Sequence, residues 1–321
     1  MRTIEGYYYI KIFVMFKTHL IIAWRSLKKQ PFFTFLNIFG LTVGMAGGLL
    51  IALYIYDELS YDQMFTDAEQ IYRLDADIKF GGSENNTAVL PAPMAGVLES
   101  DFPQVEIATR FRTLGSTFVT KSGTLQKVKL SRTTYADPSF LELFGIDLLV
   151  GDSETVLSEP NTVVLTKTAA EKFFPVDEAL GQTLVFDGGD IYTVTAVIDD
   201  LPRNSFLSEY SLFIAMEGYA DAKIAHWGSH NYNTFVKLKP NTRIADFDAA
   251  LPTIVKTYVM AWAQTVFPGI TEEQFAASGN YIRYSTISLT DIHLHSQRTG
   301  EMSANNSIQN IYILSFIALF L

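Results

Sequence analysis

Two histidine pairs are the residues of this sequence that could hold a metal ion. His226 and His230 lie four positions apart, and His293 and His295 lie two apart. A zinc site needs three or four converging ligands, and the first pair lacks the adjacent glutamate of the metalloprotease motif. The second pair shares one face of a strand-like stretch, where a structural role is the better interpretation. We therefore expect no metal ligands.

A pair of neighbouring carboxylates, Asp199 and Asp200, is the next candidate for chemistry. Such a pair could transfer protons or bind calcium, but no third acidic ligand or glycine-bearing loop lies near it. A turn with solvated charges before Leu201 and Pro202 explains the pair better. No G-x-S-x-G motif occurs, and the absence of cysteine removes thiolate catalysis and disulfides. We expect no catalytic residues and no cofactor.

A long uncharged stretch organises the rest of the chain. Phe32–Tyr56 contains no Asp, Glu, Lys or Arg. As a helix it would reach roughly 37 Å, which is enough to cross a bilayer core of about 30 Å. A buried core helix is rarely this long and uncharged, and a signal peptide has a shorter apolar run and a small-residue cleavage site. We therefore expect residues 32–56 to form a transmembrane helix.

The charges on either side of this stretch predict its orientation. Six basic residues and one acidic residue precede it, whereas five acidic residues follow before the first basic one, Arg73. Excess Lys and Arg stay on the cytoplasmic side of a membrane. The N-terminus is thus expected on the cytoplasmic side of the membrane, and everything from Asp57 onward on the outside.

The charge balance limits the partners of the main domain. The whole chain has a net charge of −10, of which residues 1–31 carry +5, so the remainder carries −15. An acidic domain argues against a nucleic-acid partner and against tight binding to anionic lipid, and it is consistent with simple solubility. About 250 exported residues can bury an adequate core without disulfides.

The stretch before the transmembrane helix is basic and amphipathic. Residues 15–31 place apolar side chains at helical spacing, with the basic side chains largely elsewhere. Such a helix lies in the membrane interface, where it contacts lipid and places Trp24 at headgroup level. It is either a passive anchor or a lever for a cytoplasmic partner. In the second case Trp24, Arg25, Lys28 and Lys29 form the coupling surface.

Glycines recur every four residues within the transmembrane stretch. Gly40, Gly44 and Gly48 form a stripe to which Gly47 adds. Small residues at this spacing let another helix approach closely, so we expect these glycines to pack against neighbouring helices.

Residues 57–302 are expected to form an α+β domain of short mixed elements. Ile71–Phe80 alternates in polarity, which predicts a half-buried strand with Arg73, Asp75 and Asp77 on its polar face. Asp137 is placed to cap a short helix that ends at Phe144. The other predicted elements are helices at Pro93–Ser100, Lys167–Phe174 (capped by Thr166) and Ile244–Val259; strands at Val105–Phe111, Thr162–Leu165, Tyr210–Ala215, Thr234–Leu238 and Tyr281–Leu289; and hairpins at residues 117–135 and 183–198.

The two ends of the sequence carry further expectations. Residues 1–14 are short and apolar without a helix cap, and we interpret them as an upstream over-extension with Met15 as the natural start. Residues 303–321 become wholly apolar after Asn310, and eleven such residues are too few to span a bilayer. We interpret this segment as the truncated start of a second transmembrane helix.

Several stretches in the same order resemble the MacB/FtsX-like ABC transporter permeases, and residues 57–302 resemble their periplasmic core domain. The match runs from about Met15 to the end of the sequence. The stretches that carry it are YDELSYDQM, IYRL, ADPSFLELFG, NTVVLTKTAAEKFFP, ALGQTL, YTVTAVIDDLPRNSF and LTDIHLHS.

The resemblance implies a fold and a role. Such permeases have four transmembrane helices per unit, with a large exterior domain between the first and second. They couple ATP-driven dimerisation of nucleotide-binding subunits to shape changes outside the membrane. No G-x-x-x-x-G-K-[ST] phosphate loop occurs here, so the implied ABC ATPase is a separate subunit and this chain is not an enzyme.

The implied function is permease action on an extracytoplasmic substrate, by export, extraction or regulation. The implied partners are the ATPase, a second permease unit (a dimer or a duplicated half), and a periplasmic protein or a lipoprotein or peptide substrate. A membrane-anchored receptor that senses an extracytoplasmic ligand is the alternative. A membrane-tethered hydrolase is a third possibility, for which the sequence shows no nucleophile and base.

Overall fold

The structure is a computed structural model that describes residues 2–321, with side chains from residue 14 onward, and it divides into two compact units. The first unit comprises the chain up to Tyr56 together with Gln309–Leu321. The second, called here the folded unit, is Asp57–Ile308. The expectation that residues 1–14 are an over-extension falls almost wholly on side chains outside the described residues, and it stays a prediction.

Two long helices come first along the chain, and shorter helices and strands follow. The helices are α1 (Arg2–Lys29), α2 (Pro31–Leu59), α3 (Met94–Asp101), α4 (Phe140–Phe144), α5 (Lys167–Ala170), α6 (Ile244–Ala250), α7 (Pro252–Ile254), α8 (Met260–Val266), α9 (Glu272–Ala277), α10 (Leu289–His295) and α11 (Ile308–Phe320). The strands are β1 (Ile71–Phe80), β2 (Ser83–Thr87), β3 (Val105–Lys121), β4 (Lys127–Ala136), β5 (Leu148–Gly151), β6 (Thr162–Thr166), β7 (Thr183–Phe186), β8 (Ile191–Ile198), β9 (Leu212–Ala215), β10 (Asn233–Leu238) and β11 (Tyr281–Ser288).

The first unit is helical. α1 ends at Lys29 and α2 begins at Pro31, where the missing proline N–H is no loss because the first helical N–H groups have no partner within the helix. Among the described residues, α2 is the one helix long and apolar enough to cross a membrane. α11 is apolar but shorter than a span. The division of the chain at residues 302 and 303, and the second transmembrane helix, stay predictions.

The folded unit is built on one mixed sheet, as expected of an α+β domain. Its strand order is β11-β1-β10-β3-β4-β9-β6-β8-β5, with β2 added beside β1 and β7 beside β3 and β8. Most neighbours are antiparallel, while β4–β9 and β6–β8 are parallel. The predicted fold class is therefore confirmed.

A bend at Gly115 lets one strand serve both halves of the sheet. The sequence predicts separate strands at residues 105–111 and 117–120, but the structure has the single strand β3. Its register with β4 shifts on both sides of Gly115, whose φ of +87° suits glycine and few other residues. β3 pairs with β10 before this bulge and with β7 after it.

Phenylalanine rings fill the centre of the folded unit. Phe111 lies with its ring centroid 5.7 Å from that of Phe140 and 5.9 Å from that of Phe235, in edge-to-face contacts. Phe206 stacks on Phe235 at 5.1 Å. These rings come from β3, α4, β10 and the loop before β9, so they hold the sheet to its covering segments.

Three predicted helices differ from the observed ones. The predicted helix Ile244–Val259 is divided into α6 and α7, because Pro252 cannot continue the hydrogen bonding of α6, and then into a π-helical turn, Val255–Val259. α5 is shorter than predicted, and the Thr166 side chain makes no capping hydrogen bond. Nor does Asp137 cap α4, whose N-cap residue is Ser139.

Asp137 instead forms an ion pair. The Arg110 Nε lies 2.8 Å from one carboxylate oxygen of Asp137, and the Arg110 backbone N–H donates to the same oxygen at 2.9 Å. The carboxylate thus fastens the segment before α4 to β3.

Candidate functional site

The glycine stripe lies on α2, and part of it faces α11. A Cβ atom added at Gly44 would stand 2.7 Å from the Leu321 carbonyl oxygen, and one at Gly48 would stand 3.9 Å from the Ala318 carbonyl oxygen. A Cβ at Gly40 would meet nothing within 4 Å. The two helices thus approach closely at Gly44 and Gly48 within this unit. Packing of the stripe against further helices stays a prediction.

The predicted coupling residues lie at the end of α1. Trp24, Arg25, Lys28 and Lys29 are all exposed, and the Lys28 ammonium lies 5.3 Å from the centroid of the Trp24 ring. In the part of the chain that the structure describes, none of these three basic residues forms an ion pair. They therefore present an open basic surface, and its role in coupling stays a prediction.

The segment that follows α2 is bound to a loop that comes 144 residues later. The Asp62 backbone N–H donates to the Asn204 carbonyl oxygen at 2.8 Å, and one Asp62 carboxylate oxygen accepts from the Phe206 N–H at 2.9 Å. The Asn204 amide donates back to the Ser60 carbonyl and hydroxyl oxygens. The Tyr61 hydroxyl donates to the Ser205 carbonyl oxygen at 3.1 Å.

The helix α10 also contacts the segment that follows α2. The His293 ring stacks on the Tyr61 ring with centroids 3.7 Å apart and planes within 6°. The His293 Nε2 lies 2.8 Å from a Glu58 carboxylate oxygen, and the Asn306 amide donates to that oxygen at 2.8 Å. We call this set, Glu58, Tyr61, Asp62, Asn204–Phe206, His293 and Asn306, the junction. It lies wholly in the folded unit, next to the positions where the chain enters and leaves it.

Asp62 is the buried charge of the junction. The residue is fully buried, has a left-handed backbone with φ of +60°, and leaves its second carboxylate oxygen without a partner among the described residues. Burial raises the pKa of Asp62 to about 7, although hydrogen bonds from the Phe206 N–H and the Ser205 side chain act in the opposite direction. Burial and the Asp62 charge together raise the pKa of Tyr61 to about 12.

A buried ionic cluster lies beside the junction on β1. Arg73 is 1% exposed and Asp75 is 2% exposed, so the predicted polar face of β1 is covered at these two positions. The Arg73 Nε lies 2.8 Å from Asp75, and its other nitrogens bind the Glu301 carboxylate and the Ser296 hydroxyl. The Arg298 guanidinium binds two carboxylates of the same strand: its Nε lies 2.9 Å from an oxygen of Asp75, and its Nη1 lies 2.5 Å from an oxygen of Asp77.

The cover over β1 is the segment that follows α10. Residues 296–302 supply Ser296, Arg298 and Glu301 to the ionic cluster. The Met302 carbonyl oxygen accepts from the Tyr210 hydroxyl at 2.9 Å, which fixes the segment to the phenylalanine-filled core. The chain that leads to α11 is therefore held by charges and by the core at once.

The remaining histidines are not brought together. α10 is a helix, so the expectation that His293 and His295 share a strand face is wrong: His293 is buried in the junction and His295 is exposed. The His226 ring contacts the Trp262 ring in a tilted arrangement with centroids 4.8 Å apart, and His230 is a separate, half-buried residue. The described residues contain no group of three His, Asp or Glu side chains placed to hold a metal ion.

The carboxylate pair has a structural role. Asp200 accepts from the Thr168 N–H at 3.1 Å and from the Thr168 hydroxyl at 2.5 Å, at the start of α5. Partial burial acts to raise the pKa of Asp200, but these hydrogen bonds outweigh it and the pKa is lowered. Both carboxylates are exposed, as expected of solvated charges, and Asp200 in addition binds the start of α5.

The structure brings together sequence stretches that local patterns cannot connect. Residues 57–64, 202–206 and 289–296 each belong to a motif of the resemblance, and they meet at the junction. A stretch such as Asp57–Met64 has no chemical motif of its own. In the sequence, the one feature that connects these three stretches is that each belongs to the ordered series of motifs on which the family resemblance is based.

Comparison with known proteins identifies the class to which this arrangement belongs. The sequence model of the MacB-like periplasmic core domain matches residues 34–254, more than half of the chain. The chain therefore belongs to this family, and the resemblance to MacB-like ABC transporter permeases is confirmed. It is a membrane protein of permease type.

Solved structures show similar architecture at low sequence identity. A domain of a candidate permease from Porphyromonas gingivalis is 20% identical, with a TM-score of 0.60 over 78% of this chain and 98% of that one. This likeness shows the shared fold.

Two further structures are more distant. The periplasmic region of MacB from Actinobacillus actinomycetemcomitans is 16% identical, with a TM-score of 0.45 over 64% of this chain and 95% of that one. The extracellular domain of the noncanonic ABC-type transporter YknZ from Gram-positive bacteria is 13% identical, with a TM-score of 0.44 over 68% and 99%. A search of curated proteins found no match.

Proposed function

We propose that this chain is the permease subunit of a MacB/FtsX-type ABC transporter, driven by a separate ATPase subunit. Its N-terminus lies in the cytoplasm, α2 crosses the bacterial inner membrane, and the folded unit lies in the periplasm. A conformational change in the ATPase reaches the exposed basic surface at the end of α1 and passes through α2. The folded unit then changes its position to export, extract or regulate an extracytoplasmic substrate.

The junction is the observation that carries this proposal. A carboxylate in the last turn of α2, on Glu58, accepts hydrogen bonds from α10 and from the segment that leads to α11. Hydrogen bonds to a charged, largely buried group are stronger than neutral ones, and their loss leaves unsatisfied polar atoms. The positions where the chain enters and leaves the folded unit are therefore fastened to each other rather than independently mobile.

A stiff connection of this kind favours transmission of force over simple tethering. Residues 60–62 are bound by several hydrogen bonds to residues 204–206, which lead into the Phe206 ring and the core. Movement of the end of α2 cannot be absorbed by a loose linker, because residues 57–62 contain no such linker. A flexible polar linker would be expected if α2 were only an anchor.

The family membership supports the partners of the proposal. MacB-like permeases act with an ABC ATPase, and a pair of permease units places two sets of coupling surfaces opposite the two nucleotide-binding subunits. The periplasmic partner or substrate is a protein, a lipoprotein or a peptide. Lipid surrounds α2.

Co-purification tests the ATPase partnership. The chain is purified from native membranes, and an ATPase with a phosphate-loop motif is expected to accompany it. Reversal of three charges on α1 (Arg25→Glu, Lys28→Glu and Lys29→Glu) should release the ATPase. The matched control reverses three exposed lysines of the folded unit, Lys129, Lys172 and Lys256, and should retain it. Purification without any ATPase, or with a signalling kinase, would instead favour the receptor alternative.

Hydrogen exchange tests transmission through the junction. Addition of ATP and Mg²⁺ to the purified complex should change exchange in residues 57–64 and 289–296. The Glu58→Ala variant should keep the ATPase but lose the change in residues 289–296, because the acceptor that links α2 to His293 is gone. An equal change in wild type and variant would contradict force transmission through this contact.

Cysteine labelling tests the orientation. The chain has no cysteine, and Leu125 at the β3–β4 turn is fully exposed. A Leu125→Cys variant should react with a membrane-impermeant maleimide added to cells whose outer membrane alone is permeabilised. A single cysteine at Lys17 should react only after the inner membrane is opened. The reverse pattern would invert the proposed topology.

A further inference from the structure

We propose that an apolar cavity in the folded unit binds a small, neutral, largely apolar molecule that carries one hydrogen-bond donor. The cavity lies between the far end of the β1–β11 pair and the helical segment around α8, and its volume is about 440 Å³. Its walls include Ile78, Phe80, Ile282, Met260, Trp262 and Phe267. This site is separate from the junction and does not depend on the proposed transport function.

The size of the cavity suits a small organic molecule. Ligand-binding clefts typically enclose about 300–1,000 Å³. An apolar cavity of about 150 Å³ holds a benzene molecule, so this one has roughly three times the room. Two or three joined rings, or a branched aliphatic body of the same bulk, would fill it.

The walls exclude a charged ligand. None of the described residues that line the cavity is Lys, Arg, Asp or Glu, although the chain as a whole carries a net charge of −10. A charge placed against such walls would lose its hydration without gaining a partner. The aromatic rings of Phe80, Trp262 and Phe267 instead favour apolar and aromatic groups.

One buried polar atom makes the cavity more than an apolar hollow. His230 lines it, and the Nε2 of this histidine is buried without a hydrogen-bond partner among the described residues. Burial lowers the pKa of His230 to about 4, despite a hydrogen bond to the Gly228 backbone, so the ring is neutral at physiological pH. Because Nε2 has no partner, we assign the hydrogen bond with the Gly228 backbone, and with it the proton of the neutral ring, to Nδ1. Nε2 is thus an acceptor, and a ligand donor would satisfy it.

Local backbone features hold the cavity open. A Cβ atom on Gly228 would stand 2.2 Å from the Trp262 ring, so the absence of a side chain there lets Trp262 occupy the wall. The π-helical turn Val255–Val259 comes directly before Met260. Such turns cost hydrogen-bond geometry and occur frequently at functional sites. Here the turn places Val259 and Met260 on the cavity wall.

A small molecule fits these features better than a partner helix or a water molecule does. A partner helix laid across the opening would not reach an atom as buried as the His230 Nε2. An ordered water needs two to four polar partners, and besides His230 and Asn85 the lining side chains are apolar apart from the Trp262 indole.

The three tryptophans of the 321-residue chain allow a direct test on this chain in nanodiscs. Trp262 lines the cavity, Trp227 is buried against Tyr258, and Trp24 lies on α1. Incorporation of 5-fluorotryptophan gives three ¹⁹F resonances, assigned with single Trp→Phe variants. The Trp24 signal reports partitioning of an apolar probe into the lipid, and the Trp262 signal reports entry into the cavity.

Three related probes separate the properties of the proposed ligand. N-phenyl-1-naphthylamine is neutral, apolar and has one N–H donor, and it should shift the Trp262 resonance saturably. 1-Benzylnaphthalene replaces the N–H by a methylene group and should bind about tenfold more weakly, as expected for loss of one hydrogen bond to a buried acceptor. 8-Anilino-1-naphthalenesulfonate adds a negative charge and should leave the Trp262 resonance unshifted.

Two variants make the result specific. His230→Leu removes the acceptor, so N-phenyl-1-naphthylamine and 1-benzylnaphthalene should bind with equal affinity. Ala263→Leu adds bulk to a cavity-lining position and should abolish saturable binding of both. The Trp227 resonance, unchanged in both variants, shows that the fold is intact.

Several results would overturn the proposal. A Trp24 shift without a saturable Trp262 shift means that the probes enter lipid only. Equal binding of the two neutral probes to the wild type means that a bound water, rather than a ligand, satisfies the histidine. An unchanged preference for the N–H probe in His230→Leu means that the probe donates its hydrogen bond elsewhere. Equal binding of the sulfonate would show that charge is not excluded.

Discussion

Replacement of Asp62 by Asn should stabilise the folded unit at neutral pH and have little effect in acid. The Asp62 carboxylate is fully buried at the junction, and burial raises its pKa from 3.8 to about 7. Asparagine has the same shape and keeps the oxygen that accepts from the Phe206 N–H. It also tolerates the left-handed backbone of this position. The variant therefore removes the ionisable group with little other change.

The sign and size of the effect follow from proton linkage. A group whose pKa is raised by folding favours the folded state fully below its unfolded pKa, and this stability is lost as the pH rises through the folded pKa. For Asp62 the loss extends from about pH 4 to about pH 7. A shift of roughly three units at 1.36 kcal/mol each corresponds to about 4 kcal/mol. Above pH 7 the wild-type protein must bury a charge that the variant lacks.

Thermal unfolding of the full-length protein in nanodiscs measures this difference. One kcal/mol changes the Tm of a domain of this size by about 2–4 °C, so the variant should melt roughly 8–16 °C above wild type at pH 8. The two should melt together near pH 4. Histidines and other titrating groups are common to both proteins and cancel in the comparison. Tyr61, whose pKa is raised to about 12, stays neutral throughout.

The exposed Asp177 provides the matched control. Asp177→Asn removes the same charge from the same unit, so its Tm should follow that of wild type across the whole range. The reasoning is wrong if the difference between Asp62→Asn and wild type is constant from pH 4 to pH 8. It is also wrong if the variant is the less stable protein at pH 8, since the carboxylate would then stabilise the junction as a charge.

Three further predictions address the ionic cluster, the glycine stripe and the junction. Arg73→Met takes the Arg73 charge away from the buried Asp75 and the partly buried Glu301 and should cost about 3–5 kcal/mol, a fall in Tm of roughly 6–20 °C. Arg243→Met breaks only an exposed ion pair with Asp246 and should cost less than about 1 kcal/mol, and equal losses would refute the burial argument. A disulfide between cysteines introduced by Gly48→Cys and Ala318→Cys should form on mild oxidation. Gly44→Leu should block its formation, because a side chain at Gly44 would meet Leu321 at the end of α11. Gly40→Leu should permit it, because a side chain there would meet nothing. Tyr61→Leu removes the ring under His293 and the bond to Ser205, and should speed hydrogen exchange in residues 289–296. An unchanged exchange rate would show that the stack does not hold α10.

Local sequence patterns predicted the strands well where apolar residues of one face alternate with polar residues of the other. The strand predicted at Ile71–Phe80 has the same bounds in the structure, because Leu74 and Ala76 alternate with polar residues and the ends are marked by Gly81 and Gly82. The environment of the polar face could not be predicted. It depends on residues 296–301, which lie more than 200 positions later and bring the compensating charges of Arg298 and Glu301.

Helix ends were less predictable than strands, because a single side chain has alternative partners. Asp137 before Pro138 has the pattern of a helix cap, yet Arg110 competes for its carboxylate and prevails through two nitrogens and a backbone N–H. The π-helical turn at Val255–Val259 has no sequence signature of its own. The junction was likewise outside local reasoning, since its parts are separated by 144 and 235 positions.

The junction and the apolar cavity lie along the same pair of strands. β1 and β11 face each other from the pair Tyr72 and Ser288 to the pair Lys79 and Tyr281. A slip of one residue would turn Leu74 and Ala76 out of the core, so the register of this pair is fixed. Ser288 leads directly into α10 and the junction, while Ile282 lies on the cavity wall. We therefore expect a displacement of α10 that carries β11 with it to change the cavity wall formed by β1 and β11 relative to the wall formed by α8. If the displacement changes the affinity of the cavity for its ligand, then binding of the ligand changes the free energy of the displacement by the same amount.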